Sequence, residues 1–128
     1  MQFKPAMIEA IKAGRKTQTR RPMKLGDFIL WNGPPHRVGA QVTMICDQMG
    51  HIRWRLGGRY SICPGRGKPR IGIIQVIRMR SDCVGQISAQ DALAEGLESR
   101  DVFFAAWKNL YPKSDLQENV WVLEFRLA

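Results

Sequence analysis

Residues 71–80, IGIIQVIRMR, alternate along their whole length. Ile71, Ile73, Gln75, Ile77 and Met79 fall on one side of an extended chain, and Gly72, Ile74, Val76, Arg78 and Arg80 on the other. That period, with β-branched residues at its centre, predicts a strand. The segments upstream read the same way. GRYSIC (58–63) is a short strand running into the loop PGRGKPR (64–70). AQVTMICD (40–47) and HIRWRLG (51–57) flank QMG, a hairpin with glycine at its turn, and GDFILWN (26–32) is a strand closed by NGPP.

Helical periodicity appears at the two ends of this block. Residues 5–13 predict a helix, with Pro5 at a first helical position, Met7, Ile8 and Ile11 on one face, and Gly14 as the stop. Downstream, SAQDALAEG (88–96) has Ser88 as N-cap, Asp91 three residues on and Gly96 at its end. SRDVFFAAWKNLYP (99–112) is capped by Ser99 and carries Phe103, Phe104, Trp107, Leu110 and Tyr111 as a stripe that reads as core packing. NVWVLEFRLA (119–128) predicts a strand with one buried face, Trp121, Leu123, Phe125 and Leu127. The order is one helix, about five strands, two helices and one strand. Short strands that must hide their edges favour a small closed or nearly closed barrel, so the expected class is α+β: a β-barrel of about six strands with two to three flanking helices, in a single domain over 1–128.

Composition narrows the function. At 128 residues and 45% hydrophobic the chain is expected to be one globular domain. No apolar run reaches the ~18–20 residues of a membrane span, and the N-terminus has no signal-peptide pattern, which predicts a cytoplasmic protein without a membrane partner. Cys46, Cys63 and Cys83 form no C-x-x-C pair, and His36 and His51 lie in no ligand pattern, so neither a disulfide framework, a metal nor any cofactor is expected. The net charge of +9 is unevenly spread. Residues 1–80 hold 16 Lys/Arg against Glu9, Asp27 and Asp47, whereas residues 81–128 hold four against eight acids. Such polarity predicts a positive face for nucleic acid or a nucleotide-like ligand. No obligate protein partner is expected.

The densest basic stretch is AGRKTQTRRPMK (13–24), at the exit of the first helix. If a helical turn continues there, Lys16 and Thr19 share a face. A neutral lysine can take the threonine proton, and Arg15, Arg20 and Arg21 are cations of the right sign to lower its pKa. The same residues would equally serve as phosphate contacts beside a threonine that caps a turn. Chemistry would also need a carboxylate. Glu95, in the last turn of the 88–96 helix, sits where the helix dipole favours cations; on a surface it would be a bland helix-end acid. Glu9, Asp27 and Glu124 read as a solvated helix face, a turn residue and a strand exterior. Arg66, Lys68 and Arg70, in the 64–70 loop, suit phosphate contact without forming a P-loop. Trp31, Trp54 and Tyr60 are available for base stacking, although strand tryptophans more often pack inside.

MIEAIKAGRKTQTRR, the LGD before a strand, ISAQDALAEG, FFAAWKNLYP and VWVLEF together resemble the ASCH domain, in that family's order and over most of the chain. The resemblance implies a PUA-like barrel with a cleft for a nucleotide or RNA. Some small members remove the acetyl group from N4-acetylcytidine with a lysine and a threonine of the GRKT-x-T motif and a glutamate of the later helix. The matching positions are Lys16, Thr19 and Glu95, which implies Thr19 as nucleophile, Lys16 as its base and Glu95 as orienting acid or proton shuttle. The resemblance also admits a non-catalytic RNA-binding module or a ribonuclease.

Overall fold

The structure, a computed structural model, describes residues 1–35 and 37–128. His36 lies outside the described residues. In chain order the elements are helix α1 (Pro5–Lys12), strands β1 (Gln18–Pro22), β2 (Phe28–Trp31), β3 (Val42–Cys46), β4 (Ile52–Arg55), β5 (Arg59–Ile62) and β6 (Gly72–Cys83), a short 3-10 turn (Val84–Gln86), helices α2 (Ala89–Ala94) and α3 (Arg100–Leu110), and strand β7 (Asn119–Leu127). The expected helices form with the expected caps: Ser88 Oγ accepts from Asp91 N at 3.0 Å and Ser99 Oγ from Val102 N at 3.2 Å. Among the described residues no helix is long and apolar enough to cross a membrane.

The strands make two antiparallel sheets, one ordered β1-β7-β6-β5 and one β2-β3-β4. The class is α+β as expected, but the barrel does not close. The chain passes from the small sheet to the large one at Gly57–Gly58, where Gly57 N donates to Val76 O (2.8 Å) and Val76 N to Gly58 O (2.9 Å). Gly57 holds φ 77°, a conformation that lets the chain turn where a continuing strand would have to wrap. The sheets then stack over one apolar cluster, with Val42, Ile45 and Trp54 from the small sheet against Val76, Met79, Trp121 and Leu123 from the large one. Face-to-face burial takes the place of edge-to-edge closure.

Three readings of the strands need correction. Alternation in β6 breaks at a bulge between Val76 and Arg78, so Ile74 and Val76 are buried, Ile77 is exposed, and Met79 returns to the core. Strand β7 buries both faces over Val120–Leu123, because it is central. Trp121 and Leu123 join the inter-sheet cluster, while Val120 and Val122 pack on Phe103 and Trp107 of α3. Residues 18–22, read as the exit from a helix, are a strand paired with β7, Thr19 opposite Leu123. Lys16 and Thr19 therefore do not share a helical turn.

Candidate functional site

The site is built where the turn after α1 meets the end of α2. Gly14, at φ 78°, ends α1, and the N–H groups of Arg15 and Lys16 both donate to Ala10 O (2.9 and 3.1 Å). Thr17 N then donates to Ala94 O (2.8 Å), and Lys16 and Glu95 form an isolated antiparallel bridge. This backbone pairing sets Glu95 opposite Lys16 before any side chain is considered. Gly96 completes the arrangement. At φ 87° it favours glycine, and a Cβ there would stand 3.1 Å from Lys16 Cβ and 3.3 Å from Ala10 Cβ.

Lys16 Nζ is buried and donates to Glu95 Oε2 (3.0 Å), Glu95 O (2.9 Å) and Gln18 O (2.9 Å). These three acceptors match the three donors of an ammonium group. Burial pulls its pKa below the ordinary lysine value; the charge and hydrogen bond of Glu95 oppose that shift, and Arg21 adds to it. The other carboxylate oxygen, Glu95 Oε1, has no hydrogen bond and stands 3.5 Å from Arg20 Nε, which likewise has none.

Arg20 extends the network away from Lys16. Its Nη1 meets Asp82 Oδ2 at 3.0 Å and its Nη2 meets Asp91 Oδ2 at 3.1 Å, while Arg80 Nη2 reaches the same Asp91 oxygen at 2.8 Å. Three cations and three carboxylates thus balance around a guanidinium whose side chain is 1% exposed. A buried guanidinium needs such compensation. Asp82, Asp91 and Arg80 were not among the residues expected from sequence. Asp91 carried a signal, but for capping, and its side chain is used for the arginines instead.

Lys16, Thr19, Arg20, Arg21 and Glu95 line one cavity of about 430 Å³, within the range of small-molecule sites. Its walls are apolar: Phe3 and Met7 on the α1 side, and Phe103, Trp107, Leu110 and Tyr111 from α3. The α3 stripe read as core is thus only partly core, since Leu110 is exposed and Phe104 and Tyr111 are half-buried. Thr19 is buried at the cavity, and among the described residues Lys16 Nζ makes no hydrogen bond to its hydroxyl. Arg21 stacks its guanidinium over the Phe3 ring (4.9 Å) and donates from Nη2 to Gln2 O (3.0 Å); its Nε is buried without a hydrogen bond. Burial lowers the Arg21 pKa, against the opposing influence of Tyr111 and Glu95.

The remaining expected residues lie elsewhere. Arg15, Arg66, Lys68 and Arg70 are exposed and do not line this cavity. Trp54 is buried under the Arg53 guanidinium (4.3 Å), Tyr60 donates no base-stacking face to the cavity, and Trp31 lies at its own cleft. Asp27, read as a turn residue, has a buried carboxylate that accepts from Lys24 N (2.9 Å), from Trp121 Nε1 (2.9 Å) and from Arg53. Burial alone would raise its pKa, and those hydrogen bonds and the Arg53 charge outweigh it, leaving the value lowered.

No family model and no curated protein matches the chain. Solved structures do. The chain is similar to an ASCH domain from Lactobacillus crispatus JV V101 with a TM-score of 0.66 at 16% identity, covering 94% of this chain and 69% of that one. It is also similar to a DUF984 protein from Enterococcus faecalis V583 with a TM-score of 0.61 at 15% identity, covering 99% and 74%. The fold is that of the ASCH domain.

Proposed function

We propose that the cavity is the active site of an amidohydrolase that removes an acyl group from a modified cytidine, with Thr19 as nucleophile, Lys16 as base and Glu95 as its proton partner. The observation that carries this reading is the buried Lys16–Glu95 pair, with Nζ and Oε2 3.0 Å apart, in a cavity that Thr19 also lines. A site meant only for phosphates would leave its lysine free of a carboxylate, because a buried counter-charge cancels the attraction for an anion.

The chemistry follows from the pair. The resting pair is charged, and passage of one proton from Nζ to Oε2 leaves a neutral amine beside a neutral acid, a state that burial brings within reach. With substrate bound, the amine takes the Thr19 hydroxyl proton as Oγ1 bonds to the acyl carbon. Collapse of the tetrahedral intermediate breaks the carbon–nitrogen bond, and the departing exocyclic nitrogen receives a proton from Lys16. Water then attacks the threonyl ester, giving its proton to Lys16, and the carboxylic acid leaves as Thr19 regains its hydrogen. Arg21, whose side chain also lines the cavity, supplies the cation that would hold the acyl oxygen as it gains charge. To reach the Thr19 hydroxyl, Lys16 Nζ must exchange one of its three present acceptors, Gln18 O, Glu95 O or Glu95 Oε2, as substrate binds.

The test is incubation of the protein with N4-acetylcytidine, following cytidine release. Wild type turns over and Lys16→Ala does not. Absence of turnover by the wild type, beside salt-dependent RNA binding, would favour the second reading, a nucleic-acid-binding module, which the exposed cations Arg15, Arg66, Lys68 and Arg70 support.

A further inference from the structure

A second cavity, of about 390 Å³, lies between the small sheet and the outer half of β6. Its lining includes the apolar Ile29, Val42, Leu56 and Met79 together with Trp31, Arg78 and Arg80. None of these residues lines the Lys16 cavity. Trp31 is 36% exposed, more than any core residue of the small sheet needs to be, and its indole makes no hydrogen bond among the described residues.

Trp31 and Arg78 each lie beside an irregularity in an otherwise regular strand pair. The β2–β3 register shifts between Leu30 and Trp31, and the β6–β7 register shifts between Val76 and Arg78. In the first the extra residue is Thr43 of β3, opposite Trp31, and in the second it is Ile77, beside Arg78; a bulge re-aims the side chains next to it. The Arg78 side chain is 64% exposed and its partner Glu124 stands 3.6 Å away. An exposed pair at that distance holds the cation weakly, leaving it free to meet another anion. The cleft's second cation, Arg80, is paired with Asp82 (3.5 Å) and Asp91 (2.8 Å), which leaves Arg78 as its looser charge.

We infer that this cleft binds one nucleotide of a single-stranded nucleic acid, the base against Trp31 and the adjoining phosphate at Arg78. An aromatic side chain and a cation lining one cleft, on a chain of net charge +9, are the arrangement that single strands use, because every base offers a π-face and every linkage a charge. A duplex keeps its base faces stacked and cannot present one to Trp31. The site is independent of the Lys16 reading, since it shares no residue with that cavity.

The experiment is fluorescence anisotropy with labelled oligouridylate and oligothymidylate strands, on the full chain. Trp31→Leu weakens binding by about 5- to 150-fold, the range of one lost base stack, whereas Trp31→Phe, which keeps a π-face, stays near wild type. Arg78→Ala lowers the slope of log affinity against log salt by about 0.7, one phosphate contact on a single strand. Uridine monophosphate, the free source of the same chemistry, displaces the strand only at much higher concentration. Turnover of N4-acetylcytidine by Trp31→Leu matches wild type, which separates this site from the other. The inference is overturned if neither strand binds the wild type, if Trp31→Leu binds like wild type, if Phe and Leu at position 31 are equally impaired, or if the mononucleotide competes as well as the strand.

Discussion

Replacing Glu95 with glutamine removes one charge from the Lys16 pair and almost no volume. Lys16 Nζ keeps Gln18 O and Glu95 O as acceptors, but its buried ammonium loses the counter-charge at 3.0 Å. Breaking a buried ion pair this way costs about 3–5 kcal/mol. The lysine has an escape, which sets a ceiling. It can fold neutral, and removing a proton from a lysine of ordinary pKa, about 10.4, costs about 4.6 kcal/mol at pH 7 and about 1.4 kcal/mol less for each pH unit above that. The expected loss is therefore about 3–4.5 kcal/mol at pH 7, and no more than about 1.9 kcal/mol at pH 9. The sign follows from linkage. A lysine whose folded pKa lies below its unfolded value binds fewer protons when folded, so stability rises with pH up to the unfolded value. The shift in Lys16 already has that direction in the wild type, and Glu95→Gln enlarges it. Urea unfolding of both proteins at pH 7, 8 and 9 measures the difference. A gap below 1 kcal/mol at pH 7, or one that does not narrow by pH 9, would refute the assignment of a charged pair to this site.

Other expected outcomes concern the residues that hold the pair. Arg20→Met leaves Asp82 and Asp91 with Arg80 alone and takes the nearest cation from Glu95 Oε1, and should lower stability in a thermal melt toward the low end of about 3–5 kcal/mol. Gly96→Ala forces a Cβ to within 3.1 Å of Lys16 at a positive φ, and should cost more than about 1 kcal/mol while reducing turnover. Asp27, with its lowered pKa, contributes stability above the ordinary aspartate value that is lost as pH falls through its folded value. Asp27→Asn should therefore flatten the acid limb of stability as pH falls below the ordinary aspartate value.

Much of this architecture is legible in the chain, because its elements carry strong local signals. Ser88 and Ser99 cap helices in sequence and in space, and Gly14, Gly50 and Gly96 turn the chain where turns were expected. Strand β1 was missed for a physical reason: Gln18, Thr19 and Arg20 are buried polar residues, and hydrophobic alternation cannot mark a strand whose buried side is satisfied by ions. Arg20 finds its carboxylates 62 and 71 residues away, a separation no local pattern encodes. The β6 bulge likewise turns a regular repeat into two half-strands of opposite phase. The open arrangement of the sheets escaped for a similar reason, since strand count alone does not say whether edges pair or faces stack. For the candidate site, spacing suggested Lys16 and Thr19 on a helical turn that does not exist. Glu95 is a candidate from its place at a helix end and the resemblance raises it, and the 16–95 backbone bridge supplies the reason Lys16 and Glu95 meet.

The central claim is that Thr19 performs chemistry in the Lys16–Glu95 cavity, and its hydroxyl can be removed at nearly constant shape. The direct measurement is the rate of cytidine release from N4-acetylcytidine by wild type, Thr19→Ser and Thr19→Val. Serine keeps a hydroxyl and should retain measurable turnover, whereas valine should lose at least about 100-fold in kcat with its fold intact. Turnover by Thr19→Val at the wild-type rate would contradict the account.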